Sequence, residues 1–400
     1  MARAKQIFLR IAMLALGTLL GACSIDDSGP VRSVWRPPDG KSTYVNVVYV
    51  TDREPDAKAA AGFGQHWADN ASCGMALAII PPALLAGEEP RWGYVERTTP
   101  ETCASTKGSL AGAVGLIEVQ AQARHCNSVF LFVHGFHTGF DGAVIRAGQI
   151  AHDAQSGCAI ATFSWSSEVE LGRYAADIEH SQYAEPLLAE FLRELAESGL
   201  HVKIVTHSMG SRLVMATLSA FARGREAVKP GFIDELVLTA ADIGVEPHND
   251  DFAHLLHDAA PYVLRTTIYA SAGDSVLAIS KGAHGGVPRL GGEPQADLRY
   301  RADDKTHIVD VIDASGPPAD ILDHSYFGMS HEAISDMSLV LADVPTAQRL
   351  TGVDGWKPTL ACAEACGKDG PYALAPVPGR HPRLVSRILV KMVPLIPFVQ

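Results

Sequence analysis

The chain has 400 residues, of which 47% are hydrophobic and 20% are charged, and its formal net charge is -12. This balance is typical of a globular protein with enough material for a large core. The acidic charge, with no cluster of lysine and arginine in the body of the chain, argues against a nucleic-acid-binding surface.

The first 22 residues are predicted to be a targeting segment that is not part of the fold. They begin with the basic residues Arg3, Lys5 and Arg10 and continue with an apolar run too short to span a bilayer. The run ends in Leu-Gly-Ala-Cys at Cys23, which resembles the lipobox of bacterial lipoproteins. The resemblance implies cleavage before Cys23, a lipid on its sulfur, export, and anchoring at the bacterial envelope. Ser24 would then favour the outer membrane if two membranes are present. An ordinary secretory signal or an uncleaved anchor is the alternative.

Residues 23–43 are polar and contain several prolines and glycines, so they are predicted to be a tether. A folded domain is expected over residues 44–344. Its first strand is predicted at Tyr44–Val50, and Gly74–Ile80 and Gly93–Arg97 are further strand candidates. These strands are expected to extend the edge of a larger sheet.

From Val129 onward, predicted strands and helices alternate, as in a parallel sheet with crossover helices. The expected elements are strand Val129–Val133, helix Asp141–Ala154, strand Ala159–Phe163, a helix whose apolar stripe runs from Leu187 to Leu195 and which ends at Gly199, strand Val202–Val205, strand Glu235–Ala240, helix Asp251–Ala259, strand Thr266–Ala270 and strand His307–Ile312. The predicted fold class is α/β, with a mostly parallel central sheet and helices on both faces. Residues 345–400 are weakly patterned and are predicted to be a C-terminal extension of undefined role.

Six cysteines remain besides Cys23, which permits three disulfide bridges in an oxidising compartment. The expected pairs are Cys126 with Cys158, Cys362 with Cys366, and Cys73 with Cys103. The first pair is favoured because each cysteine lies just before a predicted buried strand, and adjacent parallel strands bring their starts together. The second pair is the next most local, and the third is what remains. Free thiols are the alternative.

A buried strand is predicted to meet a helix at Ser208. The surrounding pentad, Thr-His-Ser-Met-Gly, is close to the G-x-S-x-G nucleophile elbow, a tight strand-turn-helix that exposes a serine oxygen at the top of a sheet. Thr206 replaces the first glycine, and Gly210 keeps the more crowded side free. The alternative explanation for Ser208 is an ordinary helix cap.

A serine nucleophile needs a histidine base and an acid that orients this base. In hydrolases with such an elbow the chain order is serine, acid, histidine, and the groups lie beyond the carboxyl ends of the strands. His324 fits the base because it follows the last predicted strand, and His284 is the runner-up. Asp274, just past the end of a strand, fits the acid. The other candidate acids are Asp242, one strand earlier, and then Asp310 and Asp313.

The oxyanion hole is expected to use two backbone N–H groups. One belongs to Met209, after the nucleophile, and the other to Phe136, in the loop after Val129–Val133. His137 in the same loop and Trp165 after the next strand are candidate substrate-pocket residues. Core packing is an equally good explanation for Trp165.

Six motifs together resemble those of a bacterial α/β-hydrolase family of esterase/lipase-like proteins, most of which have no assigned substrate. They are Tyr49–Arg53, His134–Phe136, Phe163–Trp165, His207–Gly210, Ala240–Ile243 and His324–Phe327. The resemblance covers about residues 44 to 341 and implies the α/β-hydrolase fold, with Ser208 as nucleophile, Asp274 as acid and His324 as base. His137 stands where such proteins usually carry asparagine, and the segment after Val344 has no counterpart.

The predicted function is hydrolysis of a small-molecule or lipid carboxylic ester through an acyl-enzyme. Membrane contact is expected through the lipid on Cys23. No cofactor is expected, and the spacing of His254 and His257 matches no zinc motif, so no metal site is predicted. Two alternatives stay open: a non-catalytic envelope lipoprotein that uses the fold as a binding module, and a thioesterase or amidase with the same triad.

Overall fold

The structure is a computed structural model, and it describes residues 42–59, 61–80, 96–97, 110–156, 158–224, 228–245, 251–294, 308–316, 322–352, 357–367 and 370–375. The expected signal segment, Cys23 and nearly all of the expected tether lie outside these residues. Within the described ranges, no helix has both the length and the apolar character that crossing a membrane requires.

The strands of the described residues form one 11-stranded sheet. They are β1 (Thr43–Pro55), β2 (Phe63–Ile80), β3 (Glu96–Arg97), β4 (Ser128–Val133), β5 (Ala159–Ser164), β6 (His201–His207), β7 (Ile233–Thr239), β8 (Val263–Ala270), β9 (Ile308–Asp313), β10 (Leu360–Gly367) and β11 (Gly370–Leu374). Their order is β10-β11-β9-β8-β7-β6-β4-β5-β1-β2-β3. Neighbours from β11 through β1 pair in parallel, and β2, β3 and β10 are antiparallel additions at the two edges. The predicted α/β class with a mostly parallel sheet is confirmed.

Helices cover both faces of this sheet. They are α1 (Ala111–Ala123), α2 (Phe140–Asp153), α3 (Tyr174–Ser198), α4 (Met209–Arg223), α5 (Asp251–Ala259), α6 (Ser275–Ala283), α7 (Tyr326–Met329), α8 (His331–Leu341) and α9 (Thr346–Thr351). Alternate residues of a strand point to opposite faces. In β1, Val48 and Val50 therefore join the core under α1, α3, α4 and α5. Val47 and Tyr49 join the core under α2 and α8.

Most predicted elements lie where the sequence placed them, with longer bounds for several strands. Of the strand candidate Gly93–Arg97, only Glu96–Arg97 lies within the described residues, as β3. The helix that was expected to end at Gly199 does so, and this glycine has a left-handed φ of 76°. Helices α1, α6, α8 and α9 were not predicted. The start of α1, Ala-Gly-Ala-Val-Gly, lacks the polar and apolar contrast that makes a helical period visible.

The described part of the expected C-terminal extension packs against the helices and strands that precede it. β10 and β11 extend the sheet beyond β9. The fully buried Arg349 of α9 donates to Asp336 of α8 over 2.6 Å. A buried ion pair of this kind fixes the segment to the body, since either partner alone would be an uncompensated buried charge.

The predicted Cys126–Cys158 disulfide is confirmed, with a Cα–Cα distance of 5.8 Å. It joins the starts of β4 and β5, which are parallel neighbours. Cys73 and Cys362 are disulfide-bonded as well. The side chains of their expected partners, Cys103 and Cys366, lie outside what the structure describes, so those two pairings stay predictions.

Candidate active site

The turn between β6 and α4 consists of Ser208 alone. Its backbone has φ 51° and ψ -119°, a left-handed conformation that costs a non-glycine residue about 1–3 kcal/mol. The surrounding backbone holds it there. Its N–H donates to Thr239 O over 2.9 Å, and its carbonyl accepts from Asp242 N over 3.2 Å. The Ser208 side chain makes no cap hydrogen bond to α4, so the helix-cap explanation does not describe this serine.

Two glycines let the loop after β4 approach this turn. A Cβ on Gly210 would lie 2.3 Å from His134 O, and a Cβ on Gly135 would lie 2.9 Å from the Cβ of Ser208. Neither position has room for a side chain. The first position of the pentad does accommodate a side chain, and the buried Thr206 hydroxyl lies 2.8 Å from the hydroxyl of Ser211. The elbow therefore keeps the glycine that its packing requires.

Asp274 and His324, 50 residues apart in the sequence, meet beside this turn. The Nδ1 atom of His324 lies 2.8 Å from Asp274 Oδ2 and 3.0 Å from Oδ1. Asp274 also caps α6 by accepting from Leu277 N over 2.9 Å. The ring of His207, the residue before Ser208, lies 4.7 Å from the ring of His324, centroid to centroid. With Nδ1–H donated to the carboxylate, Nε2 is the acceptor nitrogen of the neutral His324 ring.

His207 adds no positive charge next to this pair. Its ring also stacks on Phe327 at 4.5 Å. Burial, the neighbouring His324 and Arg146 together hold the pKa of His207 well below its usual value. Because His207 is neutral near pH 7, it does not oppose protonation of His324 by charge repulsion.

The loop that carries His324 is fastened to the sheet and to α2. The buried Tyr326 hydroxyl donates to Tyr269 O over 2.7 Å and accepts from Ala240 N over 3.1 Å. Gln149 of α2 donates to Gly328 O over 3.0 Å. These contacts tie the histidine loop to the carboxyl ends of β7 and β8. Tyr326 stood in one of the recognised motifs, but nothing in the sequence showed what its hydroxyl binds.

The runner-up acid Asp242 is engaged elsewhere. Its carboxylate accepts from Arg289 Nε over 2.6 Å and from the Ser280 hydroxyl over 2.7 Å, and it also accepts from the Tyr174 hydroxyl. Burial alone would raise the pKa of Asp242, but Arg289 and these hydrogen bonds bring it below its usual value. The runner-up base His284 donates from Nδ1 to Ser280 O over 2.9 Å. Asp242 and His284 therefore do not pair with each other as acid and base.

The two expected oxyanion donors are neighbours of Ser208 in different ways: Met209 follows it in the chain, and Phe136 follows Gly135, which packs against it. The backbone N–H groups of Phe136 and Met209 donate to no acceptor among the described residues. The Phe136 loop is held by Arg53, a fully buried residue whose guanidinium donates to Thr138 O over 2.6 Å and to Ser167 O over 3.1 Å. Arg53 stands in one of the motifs recognised in the sequence, but no role was predicted for it. One rigid cation thus joins the loops that follow β4 and β5.

The two candidate pocket residues differ in their surroundings. Trp165 is fully buried, stacks on His134 with ring centroids 5.1 Å apart, and donates to His134 O over 2.8 Å. These contacts fit the core-packing explanation. Burial and Arg53 lower the pKa of His134 to about 3. His137 is half-buried with a left-handed φ of 58°, and its Nδ1 has no hydrogen-bond partner in the described part of the chain.

The arrangement has the parts that acyl transfer uses: a serine on a strained turn, a histidine oriented by a carboxylate, and two N–H groups without protein acceptors. Among the described residues, no group of three or more His, Cys, Asp or Glu side chains could hold a metal ion.

Comparison with known proteins gives one family. The profile described as "Alpha/beta hydrolase of unknown function (DUF900)" matches residues 116–342. No curated protein matches the chain. Among solved structures, an esterase from Pyrobaculum calidifontis is 9% identical with a TM-score of 0.32, over 86% of this chain and 92% of that one. A fungal esterase structure from Rhizomucor miehei is 11% identical with a TM-score of 0.36, over 82% and 90%.

Proposed function

The chain belongs to this α/β-hydrolase family, and on that premise we propose that it is a serine hydrolase that cleaves carboxylic esters through an acyl-enzyme. The observation that carries the proposal is the hydrogen-bonded Asp274–His324 pair beside the strained turn at Ser208. A buried serine hydroxyl has no intrinsic reason to be reactive. A histidine held by a carboxylate at the same edge of the sheet supplies the base that it needs.

In the proposed reaction, Ser208 Oγ attacks the ester carbonyl carbon while His324 Nε2 takes the hydroxyl proton. The carbonyl oxygen becomes an oxyanion, which the N–H groups of Phe136 and Met209 stabilise. When the C–O bond to the alcohol breaks, His324 returns the proton to the leaving oxygen. Water then attacks the acyl-enzyme by the same route, and His324 again accepts and returns a proton. Asp274 keeps the imidazole oriented and stabilises its cation.

Esters are proposed ahead of amides because an alcohol is a better leaving group than an amine and needs less help from the acid. A panel that presents one acyl group as an oxygen ester, a thioester and an anilide tests this order. A clear preference for the thioester or the anilide would move the protein to the thioesterase or amidase alternative.

A fluorophosphonate probe tests the nucleophile, because it reacts covalently with activated serines. We expect labelling of the folded wild type and a complete loss of labelling in Ser208→Ala. Ser211→Ala is the matched control, since it removes a buried serine from the first turn of α4, next to Ser208, and should keep the label. A folded wild type that neither takes the label nor hydrolyses p-nitrophenyl acetate would favour the non-catalytic binding module.

We propose in addition that a lipid on Cys23 holds the protein at a bacterial envelope, as its lipobox resemblance implies. Incorporation of labelled palmitate should persist in Ser208→Ala and disappear in Cys23→Ala. Equal incorporation in both variants would contradict the anchoring.

A further inference from the structure

Four half-buried rings line one side of the turn at Ser208. They are His137, Phe136, Tyr174 and His284, and together they are called the aromatic wall here. Successive ring centroids lie 5.8, 5.4 and 6.0 Å apart, and the last two contacts are edge-to-face. Half-buried aromatic rings keep part of their surface available to a bound group. The wall therefore offers a continuous aromatic surface next to the nucleophile.

A buried polar network fixes two of these rings in place. The Tyr174 hydroxyl donates to Asp242, which is 2% exposed and paired with Arg289. Ser280 donates to the same carboxylate over 2.7 Å, and His284 donates to Ser280 O over 2.9 Å. Rotation of either ring would break a hydrogen bond to a buried group, which is unfavourable. The wall is preorganised for a ligand.

The two middle rings of the wall are linked to the turn at Ser208. Phe136 follows Gly135, whose Cα is packed so closely against Ser208 that an added Cβ would lie 2.9 Å from the serine Cβ. The Tyr174 hydroxyl donates to the side chain of Asp242, and the backbone N–H of Asp242 donates to Ser208 O over 3.2 Å. The wall therefore lies along the backbone that holds Ser208 in place.

Two rings of the wall and the residues that follow the base pack on opposite faces of the sheet. Phe136 and Tyr174 pack against the core under α3 and α4. Tyr326 and Phe327, which follow His324, belong to the core on the other face. The base must face the leaving oxygen, because it protonates that oxygen. The alcohol of the substrate therefore lies on the His324 side, and the acyl group lies on the side of the wall.

Two titratable rings of the wall, His137 and Tyr174, are uncharged near pH 7. Burial lowers the pKa of His137, so that its ring is neutral near pH 7. Burial and the Asp242 carboxylate raise the pKa of Tyr174, which keeps its phenol neutral. The one carboxylate behind the wall is compensated by Arg289. A charged acyl group would find no counter-ion in His137, Phe136 or Tyr174.

From this geometry we propose that the aromatic wall is the acyl subsite, and that it selects neutral acyl groups with a flat ring over straight alkyl chains of similar size. The inference rests on the proposed ester hydrolysis at Ser208. A planar aryl group can make the edge-to-face and offset contacts that aromatic rings favour. A flexible chain buries similar area but must lose more rotational freedom.

The test compares kcat/KM for p-nitrophenyl benzoate and p-nitrophenyl hexanoate, which share their alcohol. We expect the wild type to prefer the benzoate. Tyr174→Leu should lower the benzoate-to-hexanoate ratio about two- to tenfold, the value of one aromatic contact. Tyr174→Phe keeps the ring and should keep most of the ratio. Phe136→Leu removes a second ring and should shift the ratio in the same direction, so the test survives if one variant does not fold.

Tyr183→Leu is the matched control, since Tyr183 lies on the same helix, is 60% exposed and stacks on Trp67 instead of the wall. It should leave the ratio unchanged. Phenyl acetate and cyclohexyl acetate share their acyl group and differ in their alcohol, so they form the alcohol arm of the test. The ratio of their kcat/KM values should be the same in wild type and Tyr174→Leu. A ratio that moves in the alcohol arm, or benzoate selectivity that survives loss of both rings, overturns the acyl assignment. If the fluorophosphonate probe did not label the folded wild type, the proposed function itself would be overturned.

Discussion

Two aspartates follow neighbouring strands at the same edge of the sheet and have different surroundings. Asp242 lies beyond β7 and is 2% exposed, and Asp274 lies beyond β8 and is 3% exposed. Asp242 faces the permanent cation of Arg289 at 2.6 Å, whereas Asp274 faces the titratable imidazole of His324 at 2.8 Å. The first carboxylate is locked into a structural ion pair. The second can stabilise a charge that appears and disappears during a reaction. The partner of a buried carboxylate, more than its position, decides what it does.

Asp274→Asn should have the largest effect on activity. The amide can still cap α6 with its oxygen, but it cannot hold the imidazole in the same tautomer or stabilise its cation. We expect kcat/KM for p-nitrophenyl acetate to fall about 10³- to 10⁴-fold, as in hydrolases with this triad. The melting temperature should change by only a few degrees. If the variant kept more than a tenth of the wild-type rate, Asp274 would not be the acid.

Asp242→Asn should lower the stability more than the activity, the opposite of Asp274→Asn. It leaves the buried Arg289 guanidinium without its counter-ion, so we expect a loss of about 3–5 kcal/mol in the free energy of unfolding. Per active site, counted by fluorophosphonate titration, kcat/KM for the acetate should fall by no more than about tenfold. Denaturant unfolding measures the first quantity. The double variant Asp242→Asn/Arg289→Met removes both charges and should recover part of the stability, and an additive loss would argue against the ion pair.

The smallest expected effect concerns Glu235, a third buried carboxylate, which lies near the start of β7. Its nearest cation, Arg265, is 3.5 Å away, and the Thr267 hydroxyl donates to it over 2.7 Å. Burial raises the pKa of Glu235 from 4.5 to about 8, against the lowering effect of Arg265 and Thr267. The folded protein therefore holds a proton here that the unfolded chain releases. The stabilisation is complete below pH 4.5 and is lost as the pH rises through 8.

Melting curves at pH 5, 6, 7 and 8 and constant ionic strength check this prediction. Glu235→Gln should make the melting temperature less dependent on pH across this range, because the amide has no proton to release. Asp242 does not contribute to the change in stability between pH 5 and 8. Its pKa is lowered, so its stabilisation is present above about pH 3.8 and is lost only in acid. Parallel curves for the wild type and Glu235→Gln would show that Glu235 is ionised in the folded protein.

Much of the fold followed from local pattern. The short, mostly apolar runs that end at Val133 and Phe163 and the apolar stripe before Gly199 each produced the expected element. The misses have local causes too. The alanine- and glycine-rich α1 has little periodic contrast, and the strands β10 and β11 carry few residues that favour strands. They are strands because β9 offers them an edge, which is a property of the assembled sheet.

The sequence by itself determined the sharp corner at Ser208, because strand propensity, helix periodicity and the small residue Gly210 are all properties of neighbouring residues. It also restricted the acid and the base to a few candidates through chain order. Only the tertiary structure decided that Asp274 meets His324 while Asp242 meets Arg289, that Arg53 joins two loops, and that four rings face the turn. Those contacts join residues tens of positions apart. Their geometry depends on how the strands pack side by side, which no local pattern records.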